Sequence, residues 1–200
     1  MAMSLPSNSD RAAVPQLFMR RPSLEDLAPL PVLAEHDALR EARSDDAAAL
    51  AGVLSSAFGQ EWTVERVREA LLDAPDVDTT FVVTSMARPV ATASSRLDPE
   101  RYPGSGYLHW VGVHASARGR QLGRAVSLAV LYRFRDLGCR DAVLETDPPR
   151  FPAIRIYLHL GFVPEPRVPA HETIWRDILM DPRMAGVATV AASNDDPSRS

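Results

Sequence analysis

The sequence predicts an α/β (α+β) fold in which a mixed central β-sheet is flanked by helices. Three observations support this prediction. Runs of β-forming residues recur along the chain, apolar residues at helical spacing separate several of them, and residues 107–146 read as one strand–helix–strand unit. Because such a unit joins two parallel strands through a right-handed crossover, and the hairpin before it is antiparallel, we expect a mixed sheet.

Length and composition predict one domain with terminal extensions. The chain has 200 residues and is 46% hydrophobic, which suffices for one core. Residues 1–35 are interpreted as a partly disordered N-terminal arm, of which residues 15–31 are expected to lie over the domain rather than within its core. Residues 36–180 are assigned to the domain and residues 181–200 to a flexible tail.

The elements of the first half follow from local sequence signals. A strand at 36–43 precedes an alanine-rich helix that Ser44 is expected to cap and that reaches about Phe58. A second helix begins near Thr63 and ends at Pro75, because proline cannot continue a helix. Two β-rich runs joined by a short turn then predict a hairpin, with strands at 78–86 and 89–97.

The second half alternates strands and helices. Glycine favours the left-handed conformation that follows a helix end, so Gly138 and Gly161 mark the ends of two predicted helices. The predicted elements are strands at 107–113 and 141–146, a helix from about Gln121 to Leu137 between them, a short helix at 152–160 and a last helix at 171–179.

Composition also narrows the classes of function. The formal net charge is -4, which argues against a nucleic-acid partner, and all 22 basic residues are arginine. No apolar run approaches the roughly 18 residues of a membrane helix, and the first residues lack a secretory signal, so a cytoplasmic protein is expected. The single cysteine, Cys139, has no partner for an internal disulfide, and the five histidines show no metal-binding spacing, so no metal site is predicted.

The stretch "ASARGRQLGR" has the features of an anion site. A strand turns here into the start of an apolar helix, where unpaired amides and the helix dipole attract negative charge. Gly119 and Gly123 let the backbone approach a ligand closely. Arg118, Arg120 and Arg124 add three guanidinium groups to an otherwise acidic chain. The alternative is an ordinary helix start with two glycines and solvated arginines.

Two ordered motifs resemble the GNAT superfamily of acyl-CoA-dependent N-acyltransferases. Arg118-Gly119-Arg120-Gln121-Leu122-Gly123 resembles that family's [R/Q]-x-x-G-x-[G/A] signature at the start of a helix, with Gln121 in place of the middle glycine. After the next strand, "AIRIYLHLGF" resembles A-x-x-x-Y-x-x-x-G-F at Ala153, Tyr157, Gly161 and Phe162. The resemblance covers residues 36–165 and implies a GNAT-like fold.

The resemblance also implies acetyl-CoA as the cofactor. Its pantetheine arm would lie between splayed parallel strands 107–113 and 141–146, and its diphosphate would bind residues 118–124. Val111 and Val113 would offer backbone groups to the arm. Gly112 suggests a β-bulge or a close approach, although a glycine tolerated near a strand end is an equal alternative.

Two residues depart from the family pattern. Gln121 keeps its backbone amide, so binding should survive if this residue needs only helical φ and ψ angles. Arg150 stands where many members carry asparagine. It is expected either to replace the positioning role of that asparagine or to bind an outer phosphate.

The resemblance assigns Tyr157 as the proton donor to the departing thiolate, with a packing role as the alternative. Glu145 and His109 are candidate bases, although a surface ion pair and a buried structural histidine are alternatives, and a neutral amine needs no base. Phe58 and Trp62 fall where the family forms its acceptor pocket, with a core or lid role as the default.

Three functions are therefore compared. The first is an acetyl-CoA-dependent N-acetyltransferase acting on a primary amine of a small molecule or protein. The second is a non-catalytic acyl-CoA sensor or partner-binding module on the same fold. The third is an unrelated α/β binding domain. No nucleic-acid or membrane partner is expected, and the oligomeric state is left open, with a homodimer as one option.

Overall fold

A computed structural model describes residues 15–187 and contains a seven-stranded mixed sheet with helices on both faces. The strands are β1 Leu17–Arg21, β2 Asp37–Glu41, β3 Val77–Ser85, β4 Arg88–Arg96, β5 Ser105–Val113, β6 Asp141–Thr146 and β7 Val163–Pro164. Their order in the sheet is β2-β3-β4-β5-β6-β1-β7. Only β5 and β6 pair in parallel among these described strands, as expected for a crossover. The predicted fold class is confirmed.

Five helices of the described chain cover the sheet. They are α1 Ala47–Phe58, α2 Val64–Val67 with a π-helical continuation Arg68–Leu72, α3 Leu122–Asp136, α4 Phe151–His159 and α5 Pro169–Met180. Thr63 caps α2, since its side chain accepts a hydrogen bond from the Arg66 amide at 3.2 Å. Ser44 does not cap α1. It begins a short 3-10 turn, and the carboxylate of Asp46 accepts the Arg43 amide instead.

The predicted arm contains a core strand. β1 pairs antiparallel with β6 on one side and with β7 on the other. Its residues Leu17, Phe18 and Met19 are each at most 1% exposed. The expectation that residues 15–31 lie outside the core is therefore wrong, because a five-residue strand between prolines fills the position between β6 and β7 in the sheet.

The connection from β1 to β2 does lie over the domain. Leu24 is buried in the main core, and the Tyr132 hydroxyl on α3 donates a hydrogen bond to the Ala28 carbonyl at 3.1 Å.

The start of the predicted tail is also packed. Met184 and Val187 are buried, and the Arg155 guanidinium of α4 donates hydrogen bonds to the carbonyls of Arg183 and Ala185. The prediction of a flexible tail is therefore wrong for residues 181–187. Residues 1–14 and 188–200, for which disorder was predicted, lie outside the described range.

Two apolar layers enclose the sheet and fix the position of β5. α3 packs on one face with the larger core, and α1 and α2 pack on the other. Gly106 of β5 is required here, since a Cβ atom at this residue would lie only 2.2 Å from the Phe134 ring of α3.

Within residues 15–187, every helix is too short or too polar to cross a membrane.

Candidate active site

The parallel strands β5 and β6 separate along their length. They are paired at Ser105–Asp141, Gly106–Ala142 and Tyr107–Val143, and the pairing stops there. Residues 108–113 and 144–146 therefore border an opening in the sheet, called the gap below. The predicted splay of these strands is confirmed, and it leaves backbone groups along the gap that no neighbouring strand uses.

A bulge in β5 accompanies this separation. The pairing of β5 with β4 shifts between Ser94–His109 and Thr92–Gly112, which places an extra residue in β5. Trp110 lies within it and has a φ of 47°, which is rare for a residue with a side chain. Since a bulged strand bends away from its regular course, the bulge helps to separate β5 from β6.

Gly112 has a different role from the predicted bulge. Its φ is not in the left-handed region, so it is not the residue that bends the strand. A Cβ atom at Gly112 would lie 3.2 Å from the Cβ of Ala57 on α1. The close approach of α1, the other predicted reason, explains this glycine.

The residues from Arg118 to Arg124, called the cradle below, connect β5 with α3. None of the backbone amides of residues 119–124 donates a hydrogen bond to an acceptor within residues 15–187. Gly119 has a φ of 80°, and the space beside its Cα is open. Unpaired amides at the start of a 15-residue helix are suited to bind an anion. The helix start is therefore not closed by the described side chains.

Gln121 does not have the helical backbone angles on which its replacement of the family glycine was expected to depend. Its φ of 57° and ψ of 15° are left-handed. A residue with a Cβ atom loses about 1–2 kcal/mol in this conformation. The amide of Gln121 nevertheless stays unpaired, so the departure from glycine has an energetic cost but removes no donor.

The three arginines of the cradle differ in what they contact. Arg120 forms an ion pair with Asp37, so the expectation that it serves the ligand is not supported. Burial alone would raise the pKa of Asp37, but the hydrogen bond and charge of Arg120 hold that pKa below its usual value. Arg118 donates to the Ser56 carbonyl at 3.2 Å, and the Nε of Arg124 is buried with no described partner.

Gly123 serves packing rather than ligand approach. A Cβ atom there would lie 3.1 Å from the Ile156 side chain of α4 and 3.4 Å from that of Val113. Leu122, beside it, is buried in the core. Only the backbone amides of these two residues are available to the cradle.

Tyr157 of α4 is buried and retains its proton. Burial raises the pKa of its hydroxyl to about 12, although the positive charge of Arg150 opposes the rise. The ring packs on Phe162 with a centroid distance of 6.0 Å. No group within residues 15–187 forms a hydrogen bond with the hydroxyl, so this group is not committed to a structural contact there.

Glu145 of β6 is held by three donors. Its carboxylate accepts hydrogen bonds from Arg101 at 2.7 Å, Tyr102 at 3.1 Å and Tyr107 at 3.1 Å. Burial, followed by the nearby charge of Glu145, raises the pKa of Tyr107. The ion-paired alternative is thus the arrangement observed, and both carboxylate oxygens accept hydrogen bonds.

His109 of β5 is uncharged at neutral pH. Burial lowers its pKa to about 4, the charge of Arg96 lowers it further, and Asp76 opposes the shift. The ring stacks 4.9 Å from Tyr107 and lies 4.6 Å from Trp110. Its Nδ1 is buried with no described partner. A group with such a low pKa is a weak base at pH 7.

An aromatic cluster joins α1, α2 and the bulge. Trp110 contacts Trp62 at 4.6 Å and Phe58 at 5.4 Å, both edge to face. Trp62 is 4% exposed, whereas Phe58 is half-buried. Trp62 therefore has the default core role, and Phe58 is the more accessible of the two. Sequence reasoning missed Trp110, although a tryptophan between His109 and Gly112 on a strand beside the gap was a usable signal.

Arg150 reaches across the gap. Its guanidinium donates a hydrogen bond to the Val111 carbonyl at 3.0 Å and lies over the Phe58 ring at 4.5 Å. The residue precedes α4 and Val111 lies on β5, so the contact spans the two sides of the opening. The predicted positioning role fits this geometry better than the predicted contact with an outer phosphate.

The comparison with known families agrees with this geometry. Residues 47–162, more than half of the chain, match the Acetyltransferase (GNAT) family. The chain belongs to the GNAT family. The resemblance noted in the cradle and in α4 is thereby confirmed.

Relatives of this GNAT chain include two mycothiol acetyltransferases. The enzyme of Thermomonospora curvata is 32% identical in an alignment 159 positions long, which covers 73% of this chain and 50% of the relative. That of Saccharomonospora viridis is 31% identical in an alignment of the same length, which covers 73% of this chain and 52% of the relative. This chain therefore spans about half the length of these relatives.

Solved structures of GNAT proteins share the fold. A GCN5-related N-acetyltransferase from Sphaerobacter thermophilus has a TM-score of 0.60 at 23% identity, over 75% of this chain and 48% of that chain. One from Kribbella flavida has a TM-score of 0.55 at 20% identity, over 76% of this chain and 55% of that chain. At these identities the likeness concerns the fold.

Proposed function

We propose that this GNAT family member is an acetyl-CoA-dependent N-acetyltransferase that moves an acetyl group to a primary amine of a small molecule or protein. The observation that carries the proposal is the row of unpaired amides at residues 119–124, which starts α3 beside the gap. Bound acetyl-CoA would supply an activated acetyl thioester. The fit rests on these amides and on the Nε of Arg124, a buried atom that has no hydrogen-bond partner within residues 15–187.

Each part of the chain has a separate task in this proposal. The amides of residues 119–124 bind the diphosphate, with Arg118 and Arg124 adding positive charge. The free backbone groups of β5 along the gap orient the pantetheine arm, and Phe58 with Trp110 borders the acceptor. The amides of residues 119–124 have no hydrogen-bond acceptor within the described chain, whereas Arg118, Phe58 and Trp110 also contact other residues.

Tyr157 holds the proton needed by the departing sulfur. With a pKa of about 12 its hydroxyl stays protonated, and it can donate to the sulfur as the C–S bond breaks, although full transfer to a thiolate whose thiol has a reference pKa of about 8.5 is uphill. The amine must attack in its neutral form. Because Glu145 is held by three donors and His109 is a weak base, we propose that the amine arrives neutral or loses its proton through water.

A sensor function is the second candidate, and one observation favours it. Charged side chains proposed for the site are engaged internally, since Arg150 holds the Val111 carbonyl and Glu145 is bound by Arg101 and two tyrosines. A protein that only binds acyl-CoA could keep these contacts. An acetyltransferase must release some of them when the acceptor binds.

Two measurements test the proposal. Calorimetry with acetyl-CoA is expected to show saturable binding, and absence of binding would remove the support for both candidates. Release of free coenzyme A, followed with a thiol reagent across a panel of primary amines, then separates them. Turnover on at least one amine supports the transferase, while binding without turnover supports the sensor. Mass spectrometry after incubation with a metabolite extract would identify the acceptor.

A further inference from the structure

Arg150 is a positively charged residue without a carboxylate partner in the described part of the chain. Arginines such as Arg20, Arg40 and Arg133 form ion pairs with aspartates in this structure. No carboxylate within residues 15–187 lies within 4.0 Å of Arg150, and its one hydrogen bond goes to the Val111 carbonyl. A guanidinium has five N–H donors, so most of its donors remain available.

The nearest carboxylates along the chain are engaged elsewhere. Glu145 accepts hydrogen bonds from Arg101 and two tyrosines, and the carboxylate of Asp147 accepts one from Gln16 at 3.1 Å. Neither reaches Arg150. The positive charge at this end of the gap is therefore not balanced by the residues that precede it on the same strand and loop.

The guanidinium is positioned as a recognition group. Its cation lies over the Phe58 ring at 4.5 Å, and the bond to Val111 fixes one edge of its plane. Because the guanidinium is held only by stacking and by one hydrogen bond, its remaining N–H groups can form a bidentate contact with a carboxylate. The charge of Arg150 also acts on the Tyr157 hydroxyl, so the guanidinium lies near the proposed proton donor.

The diphosphate of a cofactor has its own donors. The amides of residues 119–124, Arg118 and Arg124 lie at the start of α3. Arg118 and Arg150 both reach the end of α1, at Ser56 and Phe58, but Arg150 directly precedes α4, the helix that carries Tyr157. An anion at Arg150 therefore belongs to the acyl group or to the acceptor. We propose that Arg150 recognises a substrate carboxylate at this end of the gap. This inference rests on the proposed function and names its substrate class.

The test compares substrates that differ in one carboxylate. L-Alanine and L-alaninamide, with acetyl-CoA as donor, examine the acceptor. Succinyl-CoA and butyryl-CoA examine the acyl group, both by turnover and by calorimetry, so that binding is measured even without turnover. For one of the two substrate pairs, we expect turnover or binding by the wild-type protein to favour the member that carries the carboxylate by about tenfold or more. Arg150→Met should reduce that ratio at least about tenfold, and Arg150→Lys should reduce it less.

Arg118→Met is the matched control, because Arg118 also lacks a carboxylate partner in the described chain but belongs to the cradle. It should weaken binding of both members of a pair alike and leave their ratio unchanged. The inference is overturned if the wild type shows no carboxylate preference in either pair, or if Arg150→Met lowers both members equally. Failure of the proposed function is distinct, since no primary amine would then be acetylated by the wild type or by any variant, whether or not acetyl-CoA binds.

Discussion

The two ends of the gap differ in how many of their polar groups have partners within the described chain. At the cradle, the amides of residues 119–124 lack partners within the described chain, and the space beside Gly119 is open. At the other end, called the reacting end, Glu145 is held by three donors, His109 is mostly buried and Arg150 is bonded to Val111. The cradle is therefore ready to bind, whereas the reacting end must exchange internal contacts for substrate contacts.

This difference indicates which substitutions are informative at each end. In the cradle the backbone amides bind the ligand. A side-chain substitution there affects binding through the charge or the backbone conformation that it introduces beside these amides. At the reacting end the side chains carry the chemistry, and each has a structural role that its removal also disturbs. Four experiments test this contrast.

The largest effect is expected at the reacting end. Tyr157→Phe should lower kcat by about a hundredfold or more, the scale of a positioned acid, with little change in acetyl-CoA affinity. Stability should change little, since no described group pairs with the lost hydroxyl. The control is Tyr132→Phe, which loses a bond to the Ala28 carbonyl and should retain kcat. An unaltered kcat in Tyr157→Phe would remove the residue from the mechanism.

The second experiment concerns the pH dependence of stability. The folded pKa of His109 is lowered to about 4 from the ordinary histidine value of 6.5, so the unfolded state binds more protons between these values. The stability due to neutral His109 is present above about pH 6.5 and is lost as the pH falls towards 4. Across that range, urea unfolding should show the wild type losing about 2–3 kcal/mol more than His109→Gln. Parallel profiles would contradict the lowered pKa.

The third experiment adds charge to the cradle. Gly119→Asp places a carboxylate in the open space beside the amides, and aspartate tolerates the left-handed angles of Gly119 better than most residues. We expect the Kd for acetyl-CoA to rise about tenfold or more, less at high salt. Gly119→Asn, of nearly equal shape, is the control and should have a much smaller effect. Equal effects of both variants would argue against anion binding there.

The smallest effect is expected at Gln121. Gln121→Gly removes the left-handed strain but increases the freedom of the unfolded chain, so the free energy of unfolding should rise by about 0.5–1 kcal/mol. The Kd for acetyl-CoA should not change, since the amide is retained. Gln121→Ala keeps the strain and should leave stability nearly unchanged. A loss of stability in the glycine variant would show that the glutamine side chain is needed.

Local sequence signals were sufficient for the cradle and its flanking elements. A β-rich run, a glycine and arginine turn and an apolar helical run follow each other within residues 107–137, and each is specified by its own residues. The helix ends at Gly59 and Gly138 are of the same kind, with φ angles of 68° and 76°. The splay of β5 and β6 was predicted from the family resemblance rather than from these signals.

Features that depend on distant residues were not predictable. β1 is five residues long and lies between Pro15 and Pro22, so its sequence resembles a loop, and only pairing with β6 makes it a strand. Arg120 was assigned to the ligand because Asp37, its partner, lies 83 residues away in the sequence. The bulge was placed at Gly112 because positive φ at a tryptophan is rare.

The position of β1 between β6 and β7 has a consequence for folding during synthesis. β1 leaves the ribosome before every other described element, yet its hydrogen-bonding partners on β6 follow more than 120 residues later. The apolar side chains of Leu17, Phe18 and Met19 therefore remain exposed until most of the chain has emerged. Such long-range closure is slow, so completion of the sheet at β1 is expected to be a late event in folding.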